Sequence, residues 1–281
     1  MILTGGEILS WKSGLIVMKS KYVLDEQNLN KITGSLDKAE NILLFLDYDG
    51  TLAPFKVDPL SAFALPEIES SLKKLEKSQK YHLSLVSGRQ LSELKKMIDL
   101  NCCHYAGSHG LEIEMSFTRG VIYPHQKQEF DVLSRKNYQK SKEKYLKTDG
   151  VRVEDKGFGL ALHFDSEKMQ SEEEKELRAL FENSSYQVLS GRKLVEIRPE
   201  GWDKGKAVNY ISDQIKKNLD LDDVLRIYIG DDRTDEDAFK VLKDGISIYV
   251  QNEGDLNTTA DYYLESPEDT AELLKKIAGE L

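Results

Sequence analysis

Cysteine is almost missing from this chain: its 281 residues include two, Cys102 and Cys103, side by side. They fall on a stretch that reads as a strand, where neighbouring side chains point to opposite faces and a bridge between them is strained. A disulfide framework is therefore excluded, which fits a reducing compartment and makes the cytoplasm the expected location. Long apolar runs are missing too. The longest near the start, Leu15-Ile-Val-Met18, is too short for a signal-peptide core, and no run reaches membrane-spanning length. Positive charge is in deficit, with 39 Lys and Arg against 49 Asp and Glu and a formal net charge of -10. Nucleic-acid phosphates would be repelled without a concentrated basic patch, and none is visible, so neither a nucleic acid nor a membrane is an expected partner. A small anion is acceptable where a cation accompanies it. The sequence leaves the oligomeric state open.

What is present is an ordinary globular composition, 40% hydrophobic and 31% charged, long enough for one large or two modest domains. Residues 1–37 are polar and rich in Lys, Asn and Ser, and read as an irregular N-terminal arm. From Asn41 strands and helices alternate: a strand to Leu46, a helix with apolar Ile68, Leu72 and Leu75, a strand Tyr81 to Val86, a helix Leu91 to Ile98 and a strand Cys102 to Ala106. Such alternation predicts a parallel sheet. Between about 117 and 199 the rhythm changes to a charged helix, strands Val151 to Glu154 and Leu160 to Phe164, an acidic helix and two more strands, which predicts an α+β insertion. The alternation resumes with a helix from Lys204, a strand Val224 to Ile229, a helix after Thr234, a strand Ile246 to Val250 and a terminal helix. The fold class is thus α/β, a Rossmann-like parallel-sheet core over 38–116 and 200–281, interrupted by a second domain over 117–199.

Four motifs fall at strand ends. In Asn41-Ile-Leu-Leu-Phe-Leu-Asp47-Tyr-Asp49-Gly50-Thr51-Leu52, two carboxylates one residue apart follow an apolar run that reads as a strand buried on both faces. Either they hydrogen-bond their own turn, or they hold a cation or divide acid and base roles. Val86-Ser87-Gly88-Arg89 opens a helix, where Ser87 is either an N-cap or a donor to an anion. Trp202-Asp203-Lys204-Gly205-Lys206-Ala207 opens another, and a lysine there opposes the helix dipole unless something anionic sits beside it; the alternative is a solvated lysine pair at a turn. Ile229-Gly230-Asp231-Asp232-Arg233-Thr234-Asp235-Glu236-Asp237 ends a buried strand with five acids in seven residues, more than capping explains, and favours a divalent, oxygen-ligated ion such as Mg²⁺. In an open α/β sheet all four ends share the edge where ligands bind. Aspartates, a metal, a lysine and a hydroxyl together suit phosphoryl transfer.

The order DxDGT, SGR, KGKA, GDDRTDED resembles the haloacid dehalogenase superfamily. More narrowly, Leu46-Asp47-Tyr48-Asp49-Gly50-Thr51-Leu52-Ala53-Pro54, Tyr105-Ala-Gly-Ser-His109-Gly-Leu-Glu112, Glu196-Ile-Arg198-Pro199 and Gly230-Asp-Asp-Arg-Thr-Asp-Glu-Asp-Ala-Phe239 resemble the trehalose-6-phosphate phosphatase family, from about Ile42 to the C-terminus. The resemblance implies a haloacid dehalogenase fold whose insertion is a mobile cap that closes over the site and chooses the sugar. It implies Asp47 as nucleophile through an aspartyl-phosphate, Asp49 as acid and base, and Mg²⁺ on the Asp47 side chain, the Asp49 carbonyl and Asp231. Asp232 and Asp235 then support the ion, with either an open alternative to Asp231 as ligand. Ser87 and Lys204 would bind phosphoryl oxygens, and Arg89, His109, Glu154, Lys156 and Glu196 the substrate. Strand alternation puts Glu196 with Arg198, and Glu154 with Lys156, on one face each; without the resemblance that face reads equally as solvated. One position departs from the family: His163-Phe164-Asp165 stands where His-Tyr-Arg is expected, so no contact carries over to Asp165. The implied activity is trehalose 6-phosphate hydrolysis, with two alternatives, a phosphatase for sucrose phosphate or a glycosyl-phosphoglycerate, and a catalytically silent regulatory module.

Overall fold

A computed structural model describes residues 20–56, 58–124, 132–155, 159–191, 193–252 and 257–280. The chain divides into two units, Met1–Ile122 with Asp203–Leu281, and Tyr123–Trp202. The first unit begins with β1 (Lys21–Tyr22), α1 (Glu26–Lys38), β2 (Ile42–Leu46), α2 (Pro66–Leu75), β3 (Tyr81–Val86), α3 (Leu91–Met97), β4 (His104–Gly107) and β5 (Glu112–Glu114). The second unit holds α4 (Val132–Tyr145), β6 (Val151–Asp155), β7 (Leu160–Phe164), α5 (Glu167–Leu180), β8 (Tyr186–Gly191) and β9 (Leu194–Pro199). The first unit is completed by α6 (Lys204–Leu219), β10 (Leu225–Gly230), α7 (Glu236–Val241), β11 (Ile246–Val250), β12 (Tyr262–Leu264) and α8 (Pro267–Ile277).

The sheet of the first unit has the order β1-β12-β11-β10-β2-β3-β4-β5, parallel throughout except for β5. The five residues of β2, Ile-Leu-Leu-Phe-Leu, are all fully buried, as an unbroken apolar run on a central parallel strand must be. Register then fixes the site. Leu46 pairs with Ile229 on one side and with Leu85 on the other, so the residues after β2, β10 and β3 emerge level with one another.

The second unit is a four-stranded antiparallel sheet in the order β6-β7-β9-β8. Val153, Leu162 and Val195 lie in one cross-strand row and join a buried cluster with Tyr138 and Tyr145 of α4 and Leu177 of α5. Glu154, Ala161 and Glu196 form the next row, and by alternation they face the other way.

The lead-in differs from expectation. Residues 1–19 lie outside the described residues, but 20–37 are not an irregular arm: β1 pairs with β12, and α1 buries Ile32 and Leu36 in the main core. The helix starts at Asp25, whose side chain accepts from the Gln27 N–H, and its apolar anchors are spaced at Leu29, Ile32 and Leu36. Ile32→Ala is expected to cost about 2–5 kcal/mol of stability, measurable by urea denaturation; a cost near zero would mean that α1 does not pack on this sheet. The two cysteines are free, Cys102 exposed and Cys103 buried. Among the described residues no helix is long and apolar enough to cross a membrane.

Candidate active site

Asp47 is the first residue beyond β2, and its N–H donates to the Ile229 carbonyl at 2.9 Å, extending the ladder by one rung. The next residues fold back at once: the Leu52 N–H donates to Tyr48 O at 2.9 Å and the Gly50 N–H to Ala53 O at 2.8 Å. Gly50 has φ +75°, and a Cβ there would lie 2.1 Å from Asp231 Oδ2, so glycine is required by both conformation and space. This tight turn leaves the Asp47 side chain at the sheet edge, 4% exposed, and puts Asp49 two residues on.

Asp47 Oδ1 lies 3.0 Å from the Lys204 ammonium, which also sits 2.7 Å from Asp235 Oδ1. Lys204 opens α6, with Asp203 as N-cap accepting from the Lys206 N–H, and its side chain is 2% exposed. Burial acts to lower the Lys204 pKa, but Asp235 and Asp47 outweigh it and hold the ammonium charged well above its ordinary range. Lys206, two residues along, is exposed.

Asp235 is committed elsewhere. Its Oδ1 takes Lys204 and the Tyr228 hydroxyl at 2.5 Å, and its Oδ2 takes the N–H groups of Asp231 and Asp232 at 3.1 and 2.9 Å. Four donors on two oxygens leave little for a cation. Asp231 is different: it is 9% exposed, and its buried Oδ1 has no hydrogen-bond partner among the described residues. Oxygen atoms of Asp47, Asp231 and Asp235 lie within 4.8 Å of one another. Those three carboxylates face one ammonium, which as ionised groups leaves two negative charges uncompensated. Burial therefore pushes Asp47 up to about 7, with Asp235 adding to the rise and Lys204 opposing it. Burial likewise drives Asp231 well above the carboxylate range, reinforced by Asp47 and Asp235. The unpartnered oxygen, the all-oxygen donor set and the charge deficit fit a hard divalent cation.

Ser87 follows β3 and is buried; its Oγ accepts from the Arg89 N–H at 3.1 Å, leaving the hydroxyl proton for another acceptor. Arg89, read from the sequence as a substrate contact, is paired with Asp49: Nε donates to Oδ2 at 2.7 Å and Nη2 to Oδ1 at 2.6 Å. The guanidinium also lies over the Tyr48 ring, 5.3 Å from its centroid. A second loop braces this one. Ser108 and His109 have φ +51° and +58°, unusual for consecutive non-glycine residues, and their N–H groups donate to Arg89 O at 2.6 Å and Ser87 O at 2.8 Å. His109 is buried, and a Cβ on Gly88 would lie 2.9 Å from its Cε1, so the imidazole packs on the Ser87-Gly88-Arg89 loop.

In the second unit, Glu154 and Glu196 flank Ala161 on the sheet face turned away from that unit's apolar cluster, and Glu154 lies 3.4 Å from His163 Nε2. Lys156 lies outside the described residues. The sequence reading missed three participants: Tyr228, signalled only by its place in β10; the Ser108 turn; and Asn252, just beyond β11.

Residues 45–268 match the family model described as trehalose-phosphatase. Trehalose-phosphate phosphatase B of Arabidopsis thaliana is 34% identical over 256 residues, 85% of this chain and 67% of that one. A trehalose 6-phosphate phosphatase of Zea mays is 33% identical over 260 residues, 86% and 71% of the two chains. The C-terminal domain of C. albicans trehalose-6-phosphate phosphatase superposes with a TM-score of 0.76 at 22% identity, covering 94% of this chain and 99% of that one. The C-terminal domain of a Candida albicans trehalose synthase regulatory protein superposes with a TM-score of 0.69 at 15% identity, covering 87% and 97%.

Proposed function

The chain belongs to the trehalose-phosphatase family, of haloacid dehalogenase fold, and from that membership we propose how its residues divide the hydrolysis of trehalose 6-phosphate. The observation that carries the assignment is Asp47, a buried carboxylate at a strand end, beside one lysine and one carboxylate with an unpartnered oxygen. Asp47 attacks phosphorus in line and becomes the aspartyl-phosphate, splitting one difficult displacement into two. Asp49 protonates the departing sugar oxygen and then takes the proton from the water that cleaves the acyl phosphate. For that it leaves the fork of Arg89 or shares it with the substrate. Lys204 and the Ser87 hydroxyl hold phosphoryl oxygens, and Asp235 keeps Lys204 charged and in place. Mg²⁺, held by Asp47, the Asp49 carbonyl and Asp231, would neutralise the phosphoryl charge when bound. Asp235 is left out of the ligand set because its oxygens are already taken by four donors.

Glu154, Lys156, Glu196 and His109 are proposed to contact the sugar, carboxylates accepting from hydroxyls and an ammonium donating to them. A cytoplasmic location agrees with the two free cysteines. The test of substrate is phosphate release with Mg²⁺ from trehalose 6-phosphate, sucrose 6-phosphate, glucose 6-phosphate and a glycosyl-phosphoglycerate. The first is expected to exceed the rest in kcat/KM by about two orders of magnitude. Equal slow rates on all four would overturn the substrate.

The metal reading has its own pH signature. In the metal-free protein Asp47 sits near 7, above its ordinary value, so it binds a proton on folding. A raised carboxylate contributes stability that is fully present below its unfolded pKa and is lost as pH rises through about 7. Mg²⁺ takes the ionised form and must displace that proton at lower pH. The melting-temperature gain from Mg²⁺ is therefore expected to be large at about pH 8 and to shrink toward about pH 6, apparent affinity falling up to about tenfold per unit. A gain that is flat with pH would count against Asp47 as a ligand.

A further inference from the structure

We infer that Asn252 is a positioning residue for the Asp231 carboxylate, tying the loop after β11 to the turn that carries Asp49 and Gly50. This rests on the reading above that Asp231 helps to hold the divalent cation. Asn252 lies just beyond β11 with φ +51°, in the left-handed region that asparagine tolerates better than most residues. That conformation brings its amide Nδ2 to 3.1 Å from the Gly50 carbonyl and 3.3 Å from Asp231 Oδ2.

The two oxygens of Asp231 then have different duties. Oδ2 receives the amide and is pressed against the turn so closely that a Cβ on Gly50 would lie 2.1 Å from it. Oδ1 is the buried oxygen without a partner among the described residues. Fixing one oxygen orients the other, as hydrogen bonds to ligating carboxylates generally do. An amide suits the task, since its two N–H groups serve two acceptors. It also brings no charge, whereas a lysine there would compete with the cation for the same carboxylate. The same side chain joins loops from β2 and β11 on either side of β10, so the turn and Asp231 are held in one register.

The test is Mg²⁺ binding to the metal-free full chain, read by titration calorimetry and by thermal shift, alongside the Mg²⁺ dependence of phosphate release. Asn252→Gly removes the amide while keeping the backbone conformation unstrained, and a melt in EDTA verifies that it is folded. It is expected to raise the Mg²⁺ half-saturation by about 10- to 100-fold, with turnover recovered at saturating Mg²⁺. Wild-type half-saturation in Asn252→Gly, or turnover that stays low at saturating Mg²⁺ with half-saturation unchanged, would overturn the proposal. Asp231→Asn separates the premise from the inference. If that variant binds Mg²⁺ as wild type does, Asp231 is not a ligand and the premise falls; if it loses the response while Asn252→Gly keeps it, only the role of Asn252 falls.

Discussion

Asp47→Asn is expected to lower phosphate release from trehalose 6-phosphate by on the order of 10⁴-fold or more, with the fold retained. The amide matches the carboxylate in shape but cannot form the acyl phosphate, and no neighbour can take its place. Asp49 is held by the fork of Arg89, and Asp235 is surrounded by its four donors. Stability separates this loss from unfolding. Burial already drives Asp47 toward its neutral form, so a neutral amide relieves like-charge repulsion in the metal-free protein. Its melting temperature in EDTA near pH 8 should equal or exceed wild type, and the response to Mg²⁺ should weaken. A variant within tenfold of wild-type turnover would remove Asp47 as nucleophile.

How much of this was readable in advance follows from what each residue depends on. The strand β2 announces itself because a strand covered on both faces must be apolar throughout; β3 and β10 carry His82, Ser84 and Arg226 but are mainly apolar where they are buried, and each of the three ends in turn-forming or acidic residues that stop the run. That alone brings Asp47, Ser87 and Asp231 to one edge. The helix α1 was missed because its apolar stripe is three residues in a polar stretch, and β5 and β12 because strands of three residues carry too little alternation to stand out. Among the acids after β10, the sequence could not say which one meets a cation. That difference lies in donors brought by other elements: Tyr228 from within β10 and Lys204 from α6 satisfy Asp235, and among the described residues nothing satisfies Asp231 Oδ1.

Arg89 and Asn252 teach the same lesson from opposite directions. Arg89 sits in a motif that suggests an anion, and it does hold one, but the anion is Asp49 across the β2–β3 pair. Asn252 sits in no motif, and its role exists only because β11, β10 and β2 are adjacent in the sheet. Alternation in β6 and β9 gave the face of Glu154 and Glu196, whereas their common row through Ala161 is a matter of register between strands far apart in sequence.

Lys204→Met is expected to destabilise the metal-free protein by about 3–5 kcal/mol near pH 8, because it leaves buried carboxylates without their counter-charge. For a chain of this size that is a fall of roughly 6–20 °C in melting temperature. A lysine at the start of α6 runs against the helix dipole, and its position makes sense only through the anions it meets, Asp235 at 2.7 Å and Asp47 at 3.0 Å. The penalty should depend on pH with a definite sign. The ammonium is held charged across the neutral range, so it does not itself titrate there. Removing it takes away an interaction that lowers Asp47, whose folded pKa then rises further above the unfolded value. A carboxylate so raised is most favourable when protonated, so stability is kept below the unfolded pKa and lost as pH climbs through the folded one. The gap between wild type and Lys204→Met should therefore be wide at about pH 8 and narrow toward about pH 5.5 in melts with EDTA. A gap that is equal at both ends would show that the packing of the lysine stem, rather than its charge, is what the carboxylates need.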